Sequence, residues 1–169
     1  NFHPPRRLHA ANRALATDDY PVGYYFTDDL TGRALDMVRQ VRDGHPSRPW
    51  FLYFSHVAVH APLQARAEDI DKYRGRYEAG WDEVRRRRFE RQKELGIMAD
   101  DVVLPPRNTE ENYAVKAWDD LSEMERGVFA RYQEVVAGMV DTVDQNFGRR
   151  REVREGRGQW GDRAPSYIR

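Results

Sequence analysis

The chain has 169 residues, long enough for one domain with a buried core and too short for two large ones. Its 28 basic and 28 acidic side chains cancel at pH 7, so the overall charge gives no reason to expect a nucleic acid or an anionic membrane as a partner. The absence of cysteine excludes disulfides, thiolate metal ligands and a cysteine nucleophile from these residues. The cellular compartment stays unknown from the sequence.

The first predicted element is a helix. Residues 1–18 lack a regular hydrophobic period and are expected to form an irregular N-terminal segment. At Thr27 a capping hydroxyl is followed by Asp28 and Asp29, which favour the positive end of a helix dipole. Gly44 is expected to end the helix. The apolar stripe of this helix consists of Leu30, Ala34, Leu35, Val38 and Val41.

An apolar and aromatic run from Pro49 to Ala58 predicts a β-strand that is buried on both faces. Helix followed by strand is typical of an α/β fold, in which ligands bind beyond the carboxyl ends of strands. His60 follows this strand and is therefore a candidate active-site residue. Strand alternation would place His56 on the same face, where the two imidazoles could bind a metal, although no third ligand is visible.

Residues 68–96 have a polar, helical composition that predicts a helix broken near Gly75 or Gly80. Four consecutive arginines, 85–88, form the one dense basic patch, which could in principle contact nucleic acid. Glutamates interleave with these arginines at positions 83, 90 and 94. The pattern therefore favours a solvated helix with ion pairs between residues four positions apart.

The last predicted helix begins with a capping box. Residues 102–118, with two adjacent prolines, favour an extended surface loop. Ser122 and Glu125 have the spacing of a reciprocal cap, and Gly148 is expected to end the helix. Residues 149–169 are arginine-rich and are expected to be a disordered basic tail. The predicted buried face of the helix consists of Phe129, Tyr132, Val136, Met139, Val140, Val143 and Phe147.

Two neighbouring motifs indicate a family. His60-Ala61-Pro62-Leu63-Gln64 resembles the H-x-P-L-Q turn of bacterial arylsulfatases in the formylglycine-dependent sulfatase family. The following stretch resembles that family's K-Y-x-G-x-Y-x-x-G-W-D-x-x-R motif. It reads Lys72-Tyr73-Arg74-Gly75-Arg76-Tyr77-Glu78-Ala79-Gly80-Trp81-Asp82 and continues to Arg85. Further blocks agree in the same order at residues 25–28, 104–108, 117–122 and 139–149.

The resemblance implies an alkaline-phosphatase-like α/β fold, a large mixed sheet sandwiched by helices, of which residues 19–148 would be the central part. It also implies hydrolysis of small-molecule sulfate monoesters. Members of this family use a formylglycine nucleophile, made from Cys or Ser in a C/S-x-P-x-R motif, and a divalent cation, usually Ca²⁺. His60 matches the family's histidine, so it inherits contact with the sulfate or the leaving group as its role.

The chain departs from the family pattern at two points. Ser47 and Pro49 have the spacing of the nucleophile motif, but Phe51 stands where arginine is required. Four double acids could offer cation ligands, but none follows a buried strand, and they are interpreted as caps and loops. They are Asp18-Asp19, Asp28-Asp29, Asp100-Asp101 and Asp119-Asp120. We therefore expect an internal sulfatase fragment, separated from the rest of its chain and inactive alone, with no metal ligands and no formylglycine.

Three functional readings follow. The first is a fragment of a sulfuric ester hydrolase with no nucleic-acid or membrane partner. The second is a non-catalytic sulfatase remnant or interaction module without turnover. The third and most distant is a helical, arginine-rich binding domain.

Overall fold

A computed structural model describes residues 8–10, 12–15 and 20–155, with side chains described up to Arg149. Within these ranges the chain is mainly helical, and no described helix is long and apolar enough to cross a membrane. The elements in chain order are β1 (Leu8–Ala10), β2 (Arg13–Leu15), α1 (Phe26–Gly44), α2 (Ala67–Asp71), α3 (Gly80–Glu94), a 3₁₀ helix (Trp118–Asp120) and α4 (Glu123–Glu155).

Strands β1 and β2 form an antiparallel hairpin in which Leu8 pairs with Leu15. Asn12, in the turn, has φ 64°, a left-handed conformation that asparagine tolerates better than most residues. The N-terminal segment, predicted to be irregular, therefore contains this short hairpin. A sequence with no clear alternation of polar and apolar residues gave no signal for such short strands.

Helix α1 confirms the predicted helix, and Asp28 and Asp29 lie in its first turn as expected. Its end at Gly44 is also as predicted. Thr27 does not cap the helix: the helix begins at Phe26, and the Thr27 side chain is buried inside the first turn. The apolar stripe is only partly covered, since Ala34 and Leu35 are buried while Val41 is 46% exposed.

The predicted strand from Pro49 to Ala58 is wrong as a sheet element. Residues 49–57 have no regular secondary structure, residue 58 begins a turn, and none of the described residues pairs with this segment as a neighbouring strand. Its exposure alternates along the chain, with Phe51 at 87% and Tyr53 at 71%, while Leu52 and Phe54 are half-buried. One face therefore packs on the protein and the other is open, because a strand becomes buried on both faces only inside a sheet.

Residues 68–96 are helical and broken, as predicted. Helix α2 ends at Asp71, the connection that follows contains Gly75, and α3 begins at Gly80; the φ angles of the two glycines are 74° and 80°. Gly80 also lies directly against the Trp118 ring, where a Cβ atom would approach Cγ to 2.1 Å. Only glycine satisfies both the left-handed backbone and this contact. Trp118, Leu121 and Ala130 form the core cluster beside it, with Tyr77 and Trp81 packed around them.

Helix α4 begins at the predicted capping box. The Ser122 N–H and hydroxyl donate to the Glu125 carboxylate at 2.8 Å, and the Glu125 N–H donates to Ser122 Oγ at 3.3 Å. The predicted end at Gly148 is wrong, because the helix continues to Glu155. A helical glycine costs only about 1 kcal/mol relative to alanine, and the arginines and glutamates that follow favour helix. Residues 156–169 of the predicted tail lie outside the described residues.

The buried face of α4 differs from the predicted apolar stripe. Met139 is 1% exposed, as expected, but Tyr132 and Val140 are each 52% exposed. The buried polar residues of α4 are Glu134, Thr142 and Asn146, and the last two lie on the face that packs on α1 and α2. Gly138 lies on the same face, where a Cβ would approach Ala65 Cβ and the Ile70 nitrogen to 3.1 Å. A small residue therefore sets the close approach of α2 to α4.

Candidate functional site

His60 lies in an exposed turn between the irregular segment 49–57 and α2. Its backbone N–H donates to the Val57 carbonyl at 3.1 Å, and its side-chain Nδ1 lies 2.6 Å from the Ala61 carbonyl oxygen. A carbonyl oxygen can only accept, so Nδ1 carries the hydrogen in this arrangement. Nε2 is then the nitrogen left for chemistry, an acceptor in the neutral ring and a donor in the imidazolium form.

The end of this turn is fixed by α1. The Tyr25 hydroxyl donates to the Gln64 carbonyl at 3.0 Å, and burial raises the pKa of Tyr25, so the hydroxyl keeps the proton that it donates. Arg66 forms an ion pair with Asp28, and its guanidinium lies 5.1 Å from the centre of the Tyr25 ring. Helix α1 thus holds the chain on both sides of Ala65.

A small apolar cluster lies below the turn. Ala65, Ile70 and Met139 are its buried members, and Ala58 and Leu63 pack against them. These residues come from both sides of His60 in sequence, so the cluster fixes the chain before and after it. The turn therefore rests on α4 through Met139, while the His60 side chain itself is exposed.

Asp69 of α2 is the buried polar centre beside this cluster, at 2% exposed. Its carboxylate accepts from the Lys72 ammonium at 2.8 Å, the Gln145 amide at 2.8 Å and the Thr142 hydroxyl at 3.0 Å. Burial alone would raise the pKa of Asp69, but the bonds from Lys72, Gln145 and Thr142 outweigh it and hold the pKa below its ordinary value. Asp69 therefore stays ionised and ties α2 to α4.

The same face of α4 also contacts α1. The Asn146 amide donates to the Asp28 carboxylate at 2.6 Å and to the Thr142 carbonyl at 2.9 Å. Asp28 thus receives bonds from Asn146 and from Arg66, which follows the turn. Asp28 and Asp69 are thus the two carboxylates whose bonds join α1, α2 and α4 beneath the His60 turn. No feature of the one sequence distinguishes them from surface acids, because their partners are distant along the chain.

The remaining predicted site residues are not assembled around His60. His56 is half-buried and packs edge-on against the Phe54 ring, with the ring centres 4.6 Å apart. Ser47 lies in an exposed turn, and Phe51, which replaces the arginine of the nucleophile motif, is largely exposed. In the part of the chain that the structure describes, no three His, Cys, Asp or Glu side chains come close enough to hold a metal ion.

None of the described double acids lies beside His60: one pair forms ion pairs with arginines, and two pairs lie in the 3₁₀ helix and in an exposed loop. Asp28 and Asp29 bond Arg66 and Arg33 respectively. The Asp119-Asp120 pair lies in the 3₁₀ helix, Asp100-Asp101 lies in an exposed loop, and Asp18-Asp19 lies outside the described residues.

A separate cleft of about 460 Å³ opens between α3 and the loop that precedes the 3₁₀ helix. Its polar wall includes Arg85, Arg88 and Arg107 together with Asp82. It shares no residue with the His60 turn. The sequence interpretation of residues 85–88 as a solvated face missed this cleft, although Trp81, Arg85 and Arg88 have the spacing of one helical face.

Residues 3–150 match the sulfatase family, which covers most of the chain. The chain belongs to the sulfatase family. This membership implies an α/β fold of the alkaline-phosphatase type, and the mainly helical structure with its small hairpin is compatible with a part of such a fold.

Two relatives of this sulfatase chain come from different kingdoms. An uncharacterized sulfatase of Schizosaccharomyces pombe is 38% identical over 113 residues, which cover 67% of this chain and 20% of that protein. An arylsulfatase of Klebsiella aerogenes is 36% identical over 101 residues, which cover 60% of this chain and 21% of that protein. The chain thus spans about a fifth of the length of these curated relatives.

Proposed function

We propose that this chain serves a sulfuric ester hydrolase, in which His60 contacts the sulfate or the leaving oxygen of a small sulfate monoester. The family match supports this, and so does the relative that is named an arylsulfatase. The observation that carries the proposal is the His60 turn. An exposed imidazole is held between segments that are fixed by α1, α2 and α4, while its own Nδ1 is engaged.

The chemistry needs such a group. When the S–O bond of a sulfate ester breaks, negative charge develops on the leaving oxygen, and a proton from a nearby acid stabilises it. With Nδ1–H directed to Ala61, protonated Nε2 is the donor available to that oxygen or to a sulfate oxygen. A positioned acid of this kind contributes typically ~10²–10⁴-fold in rate.

The other parts of the proposal rest on family resemblance. The family resemblance includes a formylglycine nucleophile and a Ca²⁺ ion, but the described residues fit neither group. Phe51 stands where the formylglycine motif requires arginine. No cluster of acidic side chains in the described ranges forms a cation site. The mixed sheet sandwiched by helices is likewise proposed for the family fold.

The test uses the product of the longest reading frame that contains this chain. The His60→Ala variant is expected to lower kcat for 4-nitrophenyl sulfate by at least tenfold. If His60 protonates the leaving oxygen, the loss is larger for phenyl sulfate, because phenolate is the more basic leaving group and depends more on a proton. An equal loss on both esters assigns His60 to the sulfate oxygens.

His45→Ala is the matched control, since His45 follows α1 in an exposed position away from the turn. It is expected to leave kcat within a factor of two. Unchanged kcat in a folded His60→Ala protein would refute the role of His60. Failure of the wild-type product to release sulfate would refute the hydrolase itself.

The non-catalytic reading has one specific observation in its favour. This chain carries neither the complete nucleophile motif nor, in its described residues, a set of cation ligands. A reading frame with neither C/S-x-P-x-R nor acidic cation ligands elsewhere would select this alternative.

A further inference from the structure

The arginines of α3 fall into two groups with different partners. On the solvent side, Arg86 bonds Glu83 and Glu90 at 2.6 Å, and Arg87 bonds Glu83. The side-chain bonds from Arg86 and Arg87 lower the pKa of Glu83 to about 2, so these pairs are fully ionised near neutral pH. The positive charge on this side of the helix is therefore balanced within the helix.

On the cleft side the positive charge is not balanced. Arg85 donates to the Pro105 carbonyl at 2.7 Å, which orients the guanidinium without neutralising it. The side chain of Arg88, which lines the cleft, makes no ion pair or hydrogen bond with any other described residue. Arg107 pairs with Asp82 at 2.9 Å, and the backbone N–H of Trp118 is the main cause that keeps the pKa of Asp82 low. Three guanidinium groups thus face one carboxylate.

Much of the remaining cleft wall is aromatic and aliphatic, and Asn108 and Gln133 are its other polar members. Trp81, Val84, Pro106, Val115 and Trp118 contribute to it. The Trp81 and Trp118 rings pack edge to face with centres 4.9 Å apart, and the Trp81 indole N–H donates to the Lys116 carbonyl at 3.1 Å. The volume of about 460 Å³ lies within the usual range of small-molecule sites, roughly 300–1,000 Å³.

We propose that this cleft binds a small aryl oxyanion, an aromatic ring that carries a carboxylate or a sulfate group. Arg88 and Arg85 receive the anion, since guanidinium groups bind planar carboxylate and sulfate oxygens with two parallel hydrogen bonds. The apolar wall receives the ring. The site is independent of the His60 turn and does not rest on the proposed hydrolysis.

The test is a titration of the 169-residue chain, labelled with ¹⁵N, with 2-naphthoate at constant ionic strength. The indole N–H signal of Trp81 is the reporter. Saturable shifts are expected, with a dissociation constant on the order of 1 mM, as for a ligand of this size. A parallel titration with 2-naphthyl sulfate shows which of the two anions binds more tightly. Neutral 2-naphthalenemethanol is expected to bind at least fivefold more weakly than 2-naphthoate.

Arg88→Gln is the test variant and Arg87→Gln is its matched control, one position away on the solvent side. The Arg88→Gln change is expected to weaken 2-naphthoate binding about five- to tenfold by removing a charge-assisted hydrogen bond. Arg88→Lys, which keeps the charge but loses the planar fork, is expected to fall between Arg88→Gln and wild type. Arg87→Gln is expected to change the dissociation constant less than twofold.

Several outcomes would overturn the proposal. One is the absence of saturable shifts up to about tenfold above the expected dissociation constant. Another is equal weakening by Arg88→Gln and Arg87→Gln in proteins with unchanged circular dichroism. Equal affinity for 2-naphthoate and the neutral alcohol would show that the anionic group does not contribute to binding.

Discussion

At the residue scale, single side chains far apart in sequence fix the His60 turn. Tyr25 bonds the Gln64 carbonyl, Asp28 receives Arg66 and Asn146, and Asp69 receives three donors. The H-x-P-L-Q motif led to His60, but no local pattern pointed to Asp69 or Asn146, because their partners are set by tertiary packing.

Asp69 makes stability depend on pH. Its native pKa is below the ordinary value of about 3.9, so its contribution is complete above pH ~4 and is lost as pH falls through the native value. Asp69→Asn is expected to cost roughly 1–3 kcal/mol at pH 6. The difference from wild type is expected to shrink at pH 3, as urea unfolding at the two pH values would show.

The control for this prediction is Asp71→Asn. Asp71 lies on the same helix but is half exposed and bonds only Arg74. Its substitution is expected to change stability by less than about 0.5 kcal/mol. An Asp69→Asn effect that is the same at pH 6 and pH 3 would contradict the role given to the carboxylate.

Gly80 gives a second prediction at this scale. Gly80→Ala places a Cβ at 2.1 Å from the Trp118 ring on a backbone with φ 80°, so it is expected to cost at least about 3 kcal/mol. Gly127→Ala in α4 meets no atom within 4 Å and is expected to stabilise by up to about 1 kcal/mol. Thermal unfolding of both variants measures this contrast, and similar shifts for the two would contradict it.

At the element scale, local signals predicted what local forces decide. Acidic first turns, left-handed glycines and the capping box correctly placed α1, the break before α3 and the start of α4. The prediction of a strand at 49–58 was wrong because a strand needs a neighbouring strand to pair with, and the pattern of one segment does not show whether such a neighbour exists. The predicted buried face of α4 was wrong because α2 packs against α4 at Gly138, a position that a pattern of large apolar residues does not include.

The capping box supports a further prediction. Ser122→Ala removes the hydroxyl that accepts from the Glu125 N–H, so it is expected to destabilise the protein by about 1 kcal/mol. Ser47→Ala, in an exposed turn, is the matched control and is expected to change stability by less than about 0.5 kcal/mol. Chemical denaturation measures both values, and equal effects would show that the cap contributes nothing.

At the scale of the whole molecule, helix α4 packs against two separate regions, the His60 turn and the arginine-lined cleft. Met139 lies in the cluster below the His60 turn, and Ala130, about two and a half turns earlier, lies in the cluster beside the arginine-lined cleft. The chain spans about a fifth of its curated relatives. The central claim is the proposal that His60 of this chain supplies a positioned imidazole for the hydrolysis of a sulfate monoester.

Sulfate release from 4-nitrophenyl sulfate tests that claim most directly, with the 169-residue chain and the product of the complete reading frame compared at equal concentration. The expected result is release by the complete product, none by the chain alone, and a drop of at least tenfold in the complete product with His60→Ala. Release by the chain alone would contradict the expectation that it is inactive by itself, and a complete product whose rate is unchanged by the loss of His60 would contradict the claim.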